Sequence, residues 1–344
     1  MSTTRTTSEA PDPSSGAPAR HGNKRSAFPE TPGVRAFSAP YTVVGGPRWD
    51  RVRKFPYGMT LLVLSRGDRL FRADLLKDLL ARGLGEVVWV EAEEPSADVE
   101  ALTKDLPDVR FLLIKGPTTE GERINIGIAE ARAPLVMCFW SDMRLASIPR
   151  GIAEAVEKSG LVCTIPVSRN SRQQAIPTWQ SPVWRKRRFS VAFRIPRRDG
   201  EFNLFPFDFC GIYNTDKFIR SGGFDPSIAN PYWQKLDFGF RCFLWGERII
   251  GSTAVAFSYT AGTPEDDATP DRSYKVFYLK NMAVRMRREM GVLPLWHVVD
   301  YVVHSDASPL DSVREFSAVR DWVRTHRFRF RRDPRDLLLR WESG

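Results

Sequence analysis

Pro134-Leu-Val-Met-Cys-Phe-Trp-Ser-Asp142 is an uncharged, mostly apolar run that stops on a carboxylate. Such a run reads as a buried strand, and in an open α/β sheet ligands collect beyond the carboxyl ends of the strands, so Asp142 is aimed at a pocket. Further along, Ser221-Gly-Gly-Phe-Asp225 makes a Gly-rich turn, and Tyr232-Trp-Gln-Lys-Leu-Asp-Phe-Gly-Phe-Arg241 an aromatic helix carrying Asp237 and Arg241. A buried carboxylate in each half is the layout of a two-substrate site.

Working outward, the segments before Asp142 alternate in type. Residues 59–64, 86–90 and 109–114 read as strands, and the helical spacing of 70–82, 96–104 and 120–132 separates them. Each strand is almost continuously apolar, which predicts a mainly parallel sheet with helices on both faces, a Rossmann-like α/β fold. A helix at 147–158 and a strand at 161–165 continue the pattern. Residues 168–206, rich in Arg, Pro, Trp and Phe, show no period and read as a loop or lid. Order returns with Phe207-Asp-Phe-Cys-Gly-Ile-Tyr213, helices at about 215–220 and 233–245, and a strand at about 247–258. The C-terminal third reads as helices at 273–290, 294–304 and 311–325, then the basic stretch Arg327-Phe-Arg-Phe-Arg-Arg332 and Leu337-Leu-Leu-Arg340. Residues 1–45, dominated by Ser, Thr, Pro, Ala, Gly and Arg, read as a disordered tail. The expected division is therefore that tail, an α/β domain over 55–262, and a helical, basic C-terminal extension over 270–344.

The chain has 344 residues, 42% of them hydrophobic, enough for a sizeable core, and its net charge of +10 implies attraction to phosphates. Cys138, Cys163, Cys210 and Cys242 sit singly with no C-x-x-C spacing, which argues against zinc or a disulfide framework and fits a reducing, cytoplasmic setting. No run approaches the ~20 apolar residues of a membrane span. The interleaved cations and apolar groups at the C-terminus suit peripheral contact with an anionic inner membrane face, or equally a last helix packed on the core with its basic side solvated.

A strand-end carboxylate can face a phosphate-bearing ligand only through an intervening cation, so Asp142 implies Mg²⁺ or Mn²⁺, although Ser141-Asp142 is also a good helix-capping pair. Glu91 and Glu93 follow the second strand, where a base or ribose could bond to them. Arg123 and Asn125 open the helix before the Asp142 strand, where the helix dipole and a guanidinium stabilise phosphate charge. Gly222 and Gly223 permit positive φ or close approach by a ligand. Asp237 and Arg241 share a helix face and can pair, while Trp233, Phe238 and Phe240 would dry that face and leave the carboxylate basic.

In this order the segments resemble nucleotide-sugar-dependent glycosyltransferases of the GT-A fold, particularly the large family 2. The matching pieces are Thr60-Leu-Leu-Val-Leu-Ser-Arg66, Glu86-Val-Val-Trp-Val-Glu91, Arg123-Ile-Asn-Ile-Gly-Ile-Ala-Glu-Ala131, Val136-Met-Cys-Phe-Trp-Ser-Asp142, and Gly222-Gly-Phe-Asp225 through Asp237-Phe-Gly-Phe-Arg241, within residues 58–258. The resemblance implies a metal-assisted transfer of a sugar from a nucleotide-diphosphate donor to a hydroxyl of a glycan, lipid or other acceptor. By position, Ser65 and Glu91 would line the nucleoside pocket and Asp142 would stand as the last acid of the DxD motif. The Gly222-Gly223 turn and the following helix, with Trp233 and Arg241, would form the acceptor side.

Three departures bear on mechanism. The first acidic position of the DxD motif is Trp140, and the usual Glu-Asp pair is Gln234-Lys235. A lysine is ordinarily protonated at neutral pH and cannot serve as base, which moves that role to Asp237, Asp208 or Asp225, or implies a retaining reaction. No His lies near Ser258-Tyr-Thr260, where many relatives have one. A noncatalytic module binding nucleotide-sugar or glycan is the alternative these departures support. A nucleotidyltransferase is disfavoured because Ser65-Arg-Gly-Asp68 has a single Gly, and nucleic acid because the Arg-rich segments match no recognition motif.

Overall fold

The computed structural model describes residues 20–21, 37–46, 58–66, 72–83, 85–92, 98–185, 188–303, 308–339 and 341. One sheet of ten strands organises the chain, built from β1 (Arg20–His21), β2 (Tyr41–Gly45), β3 (Met59–Leu64), β4 (Glu86–Ala92), β5 (Val109–Ile114), β6 (Leu135–Trp140), β7 (Met143–Ser147), β8 (Cys163–Arg169), β11 (Gly211–Asn214) and β12 (Ile249–Tyr259). Two hairpins stand apart from it, β9 (Trp179–Arg185) with β10 (Arg188–Arg194), and β13 (Arg285–Arg287) with β14 (Met290–Val292). The helices are α1 (Arg72–Ala81), α2 (Asp98–Asp105), α3 (Glu120–Glu130), α4 (Ile152–Ser159), α5 (Thr215–Arg220), α6 (Pro231–Leu244), α7 (Arg272–Phe277), α8 (His297–Val303), α9 (Pro309–Thr325) and α10 (Pro334–Leu339).

The sheet order is β1-β2-β5-β4-β3-β6-β11-β8-β12-β7. Its heart, β5-β4-β3-β6, is parallel, and every residue of β3 and β6 is buried. This is the mixed α/β architecture the apolar runs predict, because a strand covered on both faces has no polar alternation to display. Parallel connection also carries the ends of β3, β5 and β6 to one edge, where Arg66, the start of α3 and Asp142 follow.

Beyond β6 the strand directions depart from a simple continuation. β11 lies antiparallel between β6 and β8, and β7 lies antiparallel on β12. β7 and β11 are only 5 and 4 residues long, too short for a period to reveal them. The expected lid over 168–206 contains the β9–β10 hairpin, paired from Trp179↔Arg194 to Arg185↔Arg188. Its base is pinned where Trp179 fills the space beside Gly251, and a Cβ at Gly251 would meet that indole at 2.2 Å. Residues 37–45, expected within the tail, are part of the fold: Phe37 and Tyr41 are buried in the main core, Tyr41–Gly45 pairs antiparallel with β5, and the Tyr41 hydroxyl donates to Glu130 at 2.9 Å. The single helix expected over 273–290 is α7, a π-helical turn at Tyr278–Met282, and the β13–β14 hairpin, whose turn holds Arg288 and Glu289 at φ 47° and 63°.

Two apolar cores meet across α6. Phe238 and Cys242 face the core of the sheet, and Tyr232, Trp233, Leu236, Phe240 and Leu244 face a second core with α7 and α9. The basic C-terminal stretch packs there too: Phe330 is buried, Arg329 lies 5.0 Å over the Trp245 ring and Arg332 4.7 Å over Phe243. All four cysteines are free and buried. Among the described residues no helix is long and apolar enough to cross a membrane.

Candidate active site at the carboxyl edge of the sheet

The ends of β3 and β6 lie side by side, and their next residues lock together. Ser141 Oγ donates to the Arg66 carbonyl at 2.7 Å and accepts from the Arg66 amide at 2.9 Å. So anchored, the Arg66 guanidinium reaches two carboxylates. It donates to both oxygens of Asp142 at 3.1 and 3.0 Å and to both oxygens of Asp208 at 2.8 Å. Burial acts against the charge on Arg66, but Asp208 and Asp142 outweigh it and hold the proton more firmly than usual. The Tyr259 hydroxyl donates to Asp208 at 2.8 Å, and the Trp140 indole donates to the Asp208 carbonyl at 2.7 Å. Asp208 and Phe209 take left-handed backbone at φ 49° and 59°, a strain of ~1–3 kcal/mol each that persists only where surrounding bonds over-determine it. Burial raises the Asp208 carboxyl, with Arg66, Lys235 and Tyr259 opposing.

The opposite wall is the start of α3, held by the start of α6. Gln234, where the family resemblance expects a Glu, is fully buried and clamps the two helices. Its amide donates to Thr119 Oγ1 at 2.9 Å and to the Asp225 carbonyl at 2.8 Å, and its carbonyl accepts from the Gly121 amide at 3.0 Å. Gly121 has to be glycine, because a Cβ there would lie 2.5 Å from Phe224 Cβ and 2.6 Å from the Gln234 side chain. The clamp sets Glu120 beside Lys235, whose ammonium pairs with Asp266. Glu120 has no hydrogen-bond or ion-pair partner among the described residues. Burial raises its pKa, Asp208 adds to the rise, and Lys235, Arg123 and Arg66 oppose it. One helical turn on, Arg123 has a buried Nε with no partner, and burial lowers its pKa against the pull of Glu120. Asp266 likewise keeps one buried oxygen, Oδ2, without a partner. Arg123 Nε and Asp266 Oδ2 thus leave buried hydrogen-bonding capacity of both signs unmet, which protein interiors rarely do.

The other acids expected at the site lie elsewhere. Asp237 is 0% exposed; it accepts from Arg241 at 3.0 Å, from Asn281 at 2.7 Å and from Lys280 at 3.3 Å. Asp225 accepts from Lys280 at 2.6 Å and from the Ser227 amide at 2.9 Å. Burial would raise the Asp225 carboxyl, but Lys280 and Ser227 outweigh it and bring it down to about 2. Arg241 also donates to the carbonyls of Ser221 and Gly223, closing the turn in which Gly222 and Gly223 adopt φ 83° and 66°. Trp233 is packed rather than offered to a ligand, its indole donating to the Thr269 carbonyl at 3.0 Å and its ring stacked on Phe277. Asn125 bonds both backbone groups of Phe224, at 2.7 and 2.9 Å. Glu91 is buried against Arg72, 2.7 Å away, and the Trp89 indole at 2.9 Å. Ser65 is half-buried at the end of β3, next to Arg66; Glu93 lies outside the described residues.

No family model and no curated protein matches the chain in sequence. Among solved structures, it is similar to GalNAc-T7 crystallised with UDP, GalNAc and Mn²⁺, at a TM-score of 0.48 and 10% identity over 64% of this chain. It is also similar to S. aureus TarS, at TM-score 0.43 and 12% identity over 76% of this chain, and to TarS 1–349, at TM-score 0.42, 11% identity and the same coverage. The chain spans 50% of GalNAc-T7, 42% of TarS and 70% of TarS 1–349.

The residues at this edge of the sheet do not fit a divalent metal. Both oxygens of Asp142 already accept from Arg66, both oxygens of Asp208 do the same, and Trp140 supplies no ligand. Among the described residues no group of three or more His, Cys, Asp or Glu side chains is placed to hold a metal ion.

Proposed function

We propose that the chain is a glycosyltransferase that moves a sugar from a nucleotide-diphosphate donor to a hydroxyl of a glycan, lipid or other acceptor, with Glu120 as the general base. The observation that carries this reading is the Glu120 carboxylate, half-buried at the carboxyl edge of the parallel strands with no hydrogen-bond or ion-pair partner among the described residues, and raised in pKa by its partial burial. A carboxylate in this state is more basic than a solvated one, which suits it to take a proton from a hydroxyl. As Glu120 accepts the acceptor's proton, the hydroxyl oxygen bonds to the anomeric carbon and the bond to the diphosphate breaks. Arg123, with its free Nε and its place in the first turn of α3, meets the charge that develops on the departing diphosphate. No step runs through a metal ion. The order of the GT-A-like segments supports the sugar-nucleotide class, and a cytoplasmic site belongs to the same reading. Phe328, 68% exposed with Arg327 stacked over it at 4.7 Å, is the feature that would support peripheral contact with an anionic membrane.

The test is release of nucleoside diphosphate from a panel of nucleotide sugars in the presence of candidate acceptors. Glu120→Gln is expected to lower turnover by roughly 10²–10⁴-fold while leaving donor affinity in place. Unchanged turnover would remove Glu120 from the chemistry. The noncatalytic reading draws on one observation, that Asp142, Asp208, Asp225 and Asp237 are all engaged by cations at rest. Any acceptor-dependent turnover rejects it.

A further inference from the structure

Arg66 stands where the sequence implies a metal ion. Its guanidinium has five N–H groups, and the bonds to Asp142 and Asp208 use four of them. The planar fork is matched to carboxylates in a way a spherical ion is not, so each acid is held by two parallel bonds. Its other face is covered: the guanidinium carbon lies 4.4 Å from the centre of the Trp140 ring, and a cation over an indole is held by the ring's negative face. Trp140 is thus the partner of the arginine at the very position where the DxD motif has its first acid. The backbone is fixed as well, through the reciprocal bonds between Arg66 and Ser141. Mg²⁺ or Mn²⁺ entering this pair would have to displace four hydrogen bonds and a stacked ring, or sit beside a permanent positive charge.

We propose that Arg66 is a built-in cation that fills the place between Asp142 and Asp208, closes that pair to Mg²⁺ and Mn²⁺, and leaves nucleoside diphosphate binding independent of divalent metal. The last part rests on the glycosyltransferase reading; the first two do not. With one positive charge against two carboxylates the clasp carries a net negative charge, so the diphosphate is met outside it, by Arg123 and the first turn of α3.

The experiment uses the full chain stripped with EDTA. MnCl₂ titrated into the wild-type protein is expected to give no saturable heat in calorimetry and no rise in Tm. Arg66→Ala removes the cation that pairs with buried Asp208 and half-buried Asp142, and its Tm is expected to fall by on the order of 5 °C. MnCl₂ should restore that loss with saturable binding, and Arg66→Ala/Asp142→Asn should bind no Mn²⁺. Saturable Mn²⁺ binding to the wild type that Asp142→Asn abolishes would overturn the proposal, as would an Arg66→Ala protein that folds yet ignores Mn²⁺. Should Arg66→Ala not fold, the wild-type titration with its Asp142→Asn control decides alone. UDP affinity measured with and without EDTA is expected to be the same, and a requirement for metal would overturn metal independence. Absence of UDP binding in both conditions would count against the glycosyltransferase reading, and the Mn²⁺ results would still decide the clasp.

Discussion

Two carboxylate networks, one buried behind α6 and one half-buried at the sheet's edge, differ in how completely they are satisfied. Behind α6, Asp225, Asp237, Lys280, Arg241 and Asn281 form a closed set in which every acid has at least two donors. The π-helical turn at Tyr278–Met282 aims Lys280 and Asn281 into it. At the sheet's edge, Arg66 closes Asp142 and Asp208, but Glu120, the Arg123 Nε and the Asp266 Oδ2 are left over. A closed network cannot release an acid for chemistry, because unpairing a buried charge costs about 3–5 kcal/mol. Reactivity therefore collects where pairing stops. Acidity in the sequence is the same in both places; availability is not.

The largest expected effect tests the closed side. Asp237→Ala should lower folding stability by roughly 3–5 kcal/mol in chemical denaturation, since Lys280 and Arg241 would lose a buried counter-charge. Glu120→Gln should leave stability unchanged or slightly raised, because it removes a half-buried charge that no hydrogen bond or ion pair holds. Equal destabilisation by the two would erase the distinction between the networks.

A smaller effect sharpens the open side. Arg123→Met should weaken nucleoside diphosphate binding by about 1.5–3 kcal/mol, the range for a hydrogen bond to a charged group, with folding stability retained. Calorimetry on both proteins checks it. Gly121→Ala, which forces a methyl against Phe224 and Gln234, should cost roughly 1–3 kcal/mol of stability and lower turnover along with it, by pulling α3 from α6. A variant with full turnover would show that the clamp does not set the position of Glu120.

The smallest effect concerns pH. His326, stacked on Trp245 and tilted against Trp322, is pushed down to about 4 from the ordinary 6.5 by burial. Its folded-state pKa lies below the unfolded one, so the stability it contributes is present above pH 6.5 and lost as pH falls from 6.5 toward 4. Tm measured across that window should decline less steeply in His326→Phe. For Glu120 the sign is opposite: with its folded pKa raised, its ionisation weakens folding as pH rises, while turnover rises as the base form appears.

Much of the sheet was legible from local pattern. Strands at 59–64 and 109–114 match the buried runs residue for residue, and 86–92 and 135–140 differ only at their ends. A strand buried on both faces declares itself by continuous apolarity, whatever its neighbours are. The same reasoning brought out Asp142, because a carboxylate closing such a run stands at the sheet's edge. Asp208 was named only as one of three candidate bases. Glu120 was not legible: an acid in the first turn of a helix is ordinary, and only the absence of a partner sets it apart. Arg66 was equally hidden, a polar residue after a strand, separated from Asp142 by 76 positions and from Asp208 by 142. At 285–290 the residues Arg-Met-Arg-Arg-Glu-Met read as the end of a helix, yet Phe330 packs against Gly291 and residues 285–292 turn as a hairpin.

By itself the amino-acid order determined the layered α/β plan and the edge at which a site forms, because burial on two faces and strand direction are written in short stretches of sequence. Tertiary structure alone decided which charges cancel. Pairing energies depend on distances between residues far apart in the chain, so the same four aspartates, one arginine and one glutamate could become ligands, clasps or base until the fold brought Arg66 between two acids and left Glu120 with none.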